Sequence, residues 1–157
     1  MDEFVSTFTN RLDAKGRVSI PASFRLVLAR DGFEGLYCCP TLDRMAIDAG
    51  GNALRDTIRN SLSQFEPFSE EYEQLSTTLI GESEVLKIDQ DGRTVLSQGI
   101  MDHAGVTDRV TFVGQGFKFQ IWEPERFAEY REEAKERVRA LRSQLGARAI
   151  NSKRGEG

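Results

Sequence analysis

Two short segments of this chain place the same chemically capable residues at the same spacing. They are LDAKGR at Leu12–Arg17 and IDQDGR at Ile88–Arg93, and in each an Asp is followed three residues later by Gly and then by Arg. An Asp side chain can accept bonds from backbone amides two residues on, and Gly adopts positive φ readily, so both segments predict tight turns. The guanidinium is a planar group with five donors that suits phosphate or the major-groove edge of guanine.

The Arg is the one residue of this pattern that turn geometry does not require. A single copy of Asp-x-x-Gly-Arg is typical of an ordinary β-turn with a solvated Arg. Two copies at matching places favour a shared function for Arg17 and Arg93. In the first copy Lys15 sits beside the Arg, and Arg11 and Arg25 lie nearby. Proteins that bind DNA with β-ribbons place strands and their turns in a groove in this manner.

The segments around the two turns also repeat, which indicates two halves built on one plan. With the turns aligned, RVSIPASFRLVL faces RTVLSQGIMDHA, and further on GLYCCPTLDRMAI faces RVTFVGQGFKFQI. Each half indicates strand, turn, strand, short helix and hairpin, which predicts an α+β chain that is mainly β. Pro21 suits the first position of the first short helix, and Gly32 suits its end. Ser97 and Gly105 suit the same limits in the second half.

Two further regions show helical spacing. The connector keeps apolar residues at helical spacing on both sides of Pro67, and Ser69 predicts the start of its second helix. A long helix is predicted from Pro124, with one apolar stripe opposite an Arg- and Glu-rich face. The stripe comprises Phe127, Tyr130, Ala134, Val138, Leu141 and Leu145. The stripe predicts packing either on its own domain or against a neighbouring subunit. The second alternative is considered because the stripe is longer than a small half-barrel can easily cover.

These patterns predict five segments. They are a first half at 1–51, a helical connector at 52–80, a second half at 81–124, an amphipathic helix at 125–146 and a disordered tail at 147–157. The tail is expected because GARAINSKRGEG is poor in apolar residues and has no periodicity. The alternative for this tail is a basic arm that lies on DNA.

Charge is distributed unevenly along a chain that is acidic as a whole. The net charge is -4, with +2 on residues 1–30, -9 on residues 31–124 and +3 on residues 125–157. The overall sign does not favour nucleic acid, but a local basic surface is sufficient to meet phosphates. The N-terminal residues show no secretory pattern and the chain has no long apolar run. We therefore expect a cytoplasmic protein with no membrane partner.

The residues that enzymes and metal sites need are not grouped in this sequence. His103 is the single histidine, and an ordinary surface or core position on a helix explains it. Cys38 and Cys39 are adjacent, so in a strand they point to opposite faces and act as small apolar residues. DQDG lacks the other ligands of a calcium loop, and GQGFKF lacks the third Gly of a phosphate-binding loop. We predict no catalytic residues, no metal and no cofactor, so an enzyme is disfavoured.

The paired motifs point to one known family. LDAKGRVSIPASFR closely resembles the first motif of the MraZ family, and IDQDGR is similar to its second. VTFVGQGFKFQIW is similar to the closing hairpin of that family. The resemblance covers roughly Phe4 to Tyr130, and two motifs in one chain distinguish it from the wider AbrB-like group.

The resemblance implies a nucleoid-associated transcription regulator that binds direct repeats upstream of the division and cell-wall gene cluster. Such a regulator typically represses its own operon. It implies swapped-hairpin AbrB-like halves that form a double-split β-barrel, in subunits that assemble into a homo-oligomeric ring on double-stranded DNA. The residues implied to contact DNA are Lys15, Arg17 and Arg93. The residues implied to shape the turns are Asp13, Gly16, Asp89 and Gly92.

This chain departs from the family pattern at one place in the second half, and its own two turns also differ at one position. Ser97 stands where the family often has Pro, and Asp91 stands where the first turn has Lys15. A carboxylate beside phosphate is unfavourable, so we predict that the first turn dominates DNA affinity.

Two alternative functions stay open. One is an AbrB-like antitoxin or transition regulator, which usually has one motif per chain and acts as a dimer. The other is an interaction module without DNA binding.

Overall fold

The computed structural model describes the backbone of residues 2–156 and the side chains of residues 2–148. Over this range the chain is mixed α+β, with eight antiparallel strands and five helices. It divides into two compact units, one ending at Pro124 and one beginning at Glu125.

The first half contains β1 (Thr7–Arg11), β2 (Arg17–Ser19), α1 (Ala22–Asp31), β3 (Leu36–Pro40) and β4 (Ile47–Gly50). The connector contains α2 (Asn52–Leu62) and α3 (Glu70–Leu79). The second half contains β5 (Glu84–Leu86), β6 (Arg93–Val95), α4 (Gln98–Ala104), β7 (Arg109–Gly114) and β8 (Phe119–Trp122). The last helix, α5, spans Pro124–Glu156.

Every strand of the first half pairs with a strand of the second. Six strands form one antiparallel sheet in the order β1-β7-β8-β4-β3-β5, and β2 pairs with β6 in a separate two-stranded ribbon. In the aligned halves β1, β3 and β4 are equivalent to β5, β7 and β8. When each strand of the six is replaced by its equivalent, the strand order is the same read from either edge of the sheet. Val18 pairs with Thr94, and Ile47 pairs with Ile121. Each pair joins equivalent positions, so the halves are related by an approximate two-fold axis through these pairs.

The short helices α1 and α4 each contribute a buried apolar residue to one shared core. Phe24 of α1 is fully buried, and its ring centroid lies 4.8 Å from that of Phe119 and 5.3 Å from that of Phe4. Ile100, the equivalent of Phe24 in α4, is buried in the same cluster. The segment that follows each turn is therefore fixed to the sheet by burial of a large apolar side chain.

The ends of the short helices agree with the prediction at three of four positions. Gly32 and Gly105 end α1 and α4 with φ of 81° and 71°, the left-handed region that favours Gly. Ser97 caps α4 by accepting a backbone bond through its hydroxyl. The sequence predicted Pro21 at the first helical position, and this prediction was wrong. Pro21 is the extended N-cap residue with ψ of 137°, because helical φ and ψ begin at Ala22.

The adjacent cysteines lie on opposite faces of β3, as predicted. Cys38 belongs to the main core, whereas Cys39 packs with Tyr37 and Leu54. Both are free thiols, and burial raises the pKa of each. They therefore stay protonated at neutral pH and serve as small core residues.

Helix α5 continues past residue 146, where the sequence predicted its end. Its backbone is helical to Glu156, in a region rich in Ala and Arg, which are good helix formers. The disorder predicted for residues 147–157 falls mainly outside the residues whose side chains are described, so it stays a prediction. Among the described helices, none combines the length and the hydropathy needed to cross a lipid bilayer.

Candidate nucleic-acid interface

The first predicted turn is held by its own Asp. Asp13 Oδ1 accepts hydrogen bonds from the backbone N–H groups of Lys15 and Arg17, both at 2.9 Å. Gly16 donates its N–H to the Asp13 carbonyl at 3.0 Å and has φ of 79°. This is an Asx-type turn in which one carboxylate organises the backbone and Gly takes the left-handed position.

The second turn has the same structure. Asp89 Oδ1 accepts from the backbone N–H groups of Asp91 and Arg93, both at 2.9 Å. Gly92 donates to the Asp89 carbonyl at 3.0 Å and has φ of 78°. The two motifs are therefore equivalent in geometry as well as in sequence.

The Arg of each motif has a partner inside its own turn, which the sequence analysis missed. Arg17 Nε donates to Asp13 Oδ2 at 2.7 Å, and Arg93 Nε donates to Asp89 Oδ2 at 3.1 Å. One carboxylate thus binds both the turn backbone and the guanidinium, so the Arg adds a side-chain bond to a turn that Asp and Gly already shape. Within the described residues the terminal amino groups of Arg17 have no hydrogen-bond partner, which leaves them available to a ligand.

Hydrogen bonds hold both turn carboxylates in their ionised form. The Arg17 backbone N–H is the largest cause that lowers the pKa of Asp13, and the Arg93 backbone N–H is the largest that lowers the pKa of Asp89. A carboxylate with a depressed folded-state pKa stabilises the fold at pH above its ordinary value. That contribution is lost as the pH falls through the lowered pKa.

We expect an Asp13→Asn, Asp89→Asn double variant to lose this part of the pH dependence, because Asn cannot ionise. Its unfolding midpoint should lie below that of the parent chain near neutral pH. The two midpoints should begin to converge as the pH falls below about 4 and should meet once it has passed the lowered pKa of the folded parent carboxylates. Thermal unfolding followed by circular dichroism across this range measures the difference, and an unchanged gap at every pH would contradict the assignment.

The structure brings the two Arg residues, distant in sequence, onto one face of the β2–β6 ribbon. Alternate residues of a strand share a face, and Arg17 pairs with Val95 while Ser19 pairs with Arg93. Ser19 and Val95 on this face are exposed. The intervening pair, Val18 and Thr94, faces the other way and is buried. We call the face formed by Arg17, Ser19, Arg93 and Val95 the ribbon face.

The two turns differ in the charge around the Arg. Arg93 Nη2 donates to Asp91 Oδ2 at 3.0 Å, in addition to its bond with Asp89. The position of Asp91 is taken in the first turn by Lys15, which is exposed and has no ion pair among the described residues. The charged side chains of the first turn sum to one positive charge and those of the second to one negative charge.

Arg109 is a further cation near the first turn that sequence reasoning did not identify. It lies directly opposite Arg11 in the β1–β7 register, at the end of β1 that enters the turn. Both residues are exposed, and neither has an ion pair within the described part of the chain. Like charges in direct cross-strand contact are unfavourable, so a bound anion would relieve this repulsion. Arg109 is recognisable only once the pairing of β1 with β7 is known.

His103 and the carboxylates lie apart from the turns. No group of three or more His, Cys, Asp or Glu residues in the described chain could hold a metal ion. His103 lies on α4 beside a cavity of about 370 Å³ that Glu82 and Glu84 also line. The Glu84 carboxylate accepts the Ser97 hydroxyl at 2.8 Å, which ties it to the cap of α4.

The chain is similar to known proteins over nearly all of its length. Residues 78–146 match the model of a family described as "MraZ protein, putative antitoxin-like". A "Transcriptional regulator MraZ" of Beijerinckia indica subsp. indica is 60% identical over 150 residues, which cover 96% of this chain and 92% of that protein. Proteins of the same name are 59% identical in Methylocella silvestris, covering 94% and 90%, and 56% identical in Xanthobacter autotrophicus, covering 96% and 96%.

Proposed function

This chain belongs to the MraZ family, and three relatives that are 60%, 59% and 56% identical to it are named transcriptional regulators. From this premise we propose that it binds double-stranded DNA through the ribbon face. The observation that supports this most directly is the placement of Arg17 and Arg93, both partly exposed, on one face of the ribbon. A two-stranded β-ribbon fits the major groove of B-DNA, where guanidinium groups can bond guanine edges or phosphates.

The residues of the first turn take distinct roles in this proposal. Asp13 holds the Nε edge of Arg17, so the remaining donors of that guanidinium are presented in a fixed orientation to a base edge or a phosphate. Lys15 is an exposed cation that contacts phosphate. Gly16 and Asp13 keep the turn narrow enough to approach DNA. Arg93 has the same role in the second turn with fewer free donors.

The regulated target and the architecture are part of the same proposal. The chain binds direct repeats in the promoter of its own operon in the division and cell-wall gene cluster, represses it, and acts in the cytoplasm at the nucleoid. Its two halves are swapped-hairpin AbrB-like units of a double-split β-barrel, joined by the connector. The pairing of every first-half strand with a second-half strand supports this exchange of hairpins. It acts without a cofactor and is not an enzyme.

We place the chain in a homo-oligomeric ring. Val138, Leu141 and Leu145 of the α5 stripe are each about half exposed, which favours packing against a neighbouring subunit over solvation. Subunits in head-to-tail contact suit direct repeats in DNA, and several turns on one ring convert weak contacts into avidity. Light scattering of the purified chain tests the assembly, and a monomer at all concentrations would exclude the ring.

The test of DNA binding is a fluorescence anisotropy titration of the full chain. The probes are a labelled duplex from directly upstream of the gene for this chain and a scrambled duplex of equal composition, each at two salt concentrations. The variants are Arg17→Ala and the matched control Arg59→Ala, an exposed Arg of α2. Binding should prefer the upstream duplex, weaken with salt, and be reduced by Arg17→Ala but not by Arg59→Ala.

Two other outcomes of this titration would indicate a different function. Equal binding to both duplexes would indicate a nonspecific nucleoid protein. Absence of binding at low salt would exclude the DNA-binding proposal and favour an interaction module that uses the α5 stripe.

A further inference from the structure

Arg25 stands in a position that the symmetry of the chain does not explain. It lies on α1, immediately after the buried Phe24. In the aligned second half the same position on α4 is Met101, whose side chain is partly buried against the main core. The repeat therefore has a cation in one copy and an apolar residue in the other.

The structure places Arg25 against the turn of the opposite half. Its guanidinium lies over Gly92, so that a Cβ at that position would overlap the guanidinium itself. Gly92 is buried there, whereas Gly16 is only partly buried and has open space at the same position. Arg25 and the second turn line one shallow groove of about 240 Å³, together with Leu28.

The second turn carries a net negative charge that the nearby Arg25 can offset. Asp89 and Asp91 outnumber Arg93 in the turn itself, and Asp91 accepts a bond from Arg93 at 3.0 Å. Arg25 cancels the excess negative charge. Its side chain is exposed and makes no hydrogen bond or ion pair among the described residues, so its donors stay available to a phosphate.

We propose that Arg25 is a further DNA-contacting residue, which supplies to the second turn the cation that Lys15 supplies to the first. The inference rests on the proposed DNA binding and identifies where its second contact gains positive charge. It also accounts for the buried Gly92, since a side chain at this position would displace the guanidinium. Each turn then presents two cations. The first turn supplies both of its own, whereas the second combines its own Arg93 with Arg25 from the opposite half.

Arg25→Met tests the inference, because Met is the residue at the equivalent position 101. The matched control is Arg30→Met, which makes the same substitution on the same helix at an exposed residue paired with Asp2. On the upstream duplex, Arg25→Met should weaken binding about fivefold to tenfold and lower the slope of log affinity against log salt by about one. Arg30→Met should change neither by as much.

Two further measurements separate a direct contact from a structural effect. Adding Asp91→Lys to Arg25→Met should restore much of the affinity, because it gives the second turn the cation of the first. The loss from Arg25→Met should depend on whether Arg93 is present and be additive with Arg17→Ala, since residues at one site couple and distant ones add. Unfolding midpoints of all variants show whether a loss reflects an altered fold.

The outcomes distinguish this inference from the function on which it rests. If the parent chain binds neither duplex, the proposed function fails and the inference fails with it. If the parent chain binds the upstream duplex and Arg25→Met binds as tightly as Arg30→Met, the function stands and only the role of Arg25 is wrong. A loss that Asp91→Lys does not restore, accompanied by a lowered unfolding midpoint, would also overturn it.

Discussion

Arg17→Ala is expected to weaken binding to the upstream duplex by about tenfold or more, whereas Arg93→Ala is expected to weaken it by only about threefold. The difference follows from the partners of each guanidinium. Arg17 is held at Nε alone, by Asp13 at 2.7 Å. Arg93 is held by Asp89 at 3.1 Å and also by Asp91 at 3.0 Å. Arg93 must give up the bond to Asp91 before that donor can reach DNA.

Asp91→Asn provides the matched control for this ranking. It removes the charge that competes for Arg93 and keeps the size of the side chain, so it should strengthen binding where both Ala variants weaken it. Anisotropy titrations of the three variants and the parent chain, at one salt concentration, give the comparison. A greater loss from Arg93→Ala than from Arg17→Ala would reverse the assignment of the dominant turn, and Asp91→Asn without effect would remove its electrostatic explanation.

The features predicted correctly from the sequence are those fixed by neighbouring residues. Ser97 caps α4 with its own hydroxyl, and Gly32 ends α1 because it adopts positive φ without a Cβ. Cys38 and Cys39 lie on opposite faces because successive residues of a strand always do. Each of these relations spans no more than one helical turn or one step of a strand. A pattern of residue types is sufficient to detect them.

The features missed depend on contacts between the two halves or on side-chain geometry. The alignment showed that the halves are equivalent but not that each strand of one pairs with the other, since strand pairing is set by the packed core. Arg109 became a candidate only through the β1–β7 register. The bond from Arg17 to Asp13 joins residues of one turn, yet a solvated Arg and a bound Arg have the same sequence.

Phe24→Ala is expected to cause the largest loss of stability, about 3–5 kcal/mol. Phe24 is fully buried, and its ring meets those of Phe4, Phe8 and Phe119 with centroids 5.3, 5.5 and 4.8 Å away. Removal of the ring deletes these contacts and leaves a cavity where α1 meets the sheet. Denaturant unfolding of the parent chain and the variant, at one fixed protein concentration, measures the free energy of unfolding.

The control is Phe68→Ala, which removes the same atoms from a fully exposed residue of the connector. It should change the free energy of unfolding by no more than about 0.5 kcal/mol. If the two variants lost equal stability, α1 would not be fixed through Phe24.

Because Arg25 follows Phe24 on α1, the burial of Phe24 also sets the position of the Arg25 guanidinium over Gly92. DNA binding is therefore compared at a denaturant concentration where Phe24→Ala is still folded. Because α1 is loosened in this variant, Phe24→Ala should weaken DNA binding by about as much as Arg25→Met does. Phe68→Ala should leave DNA binding unchanged.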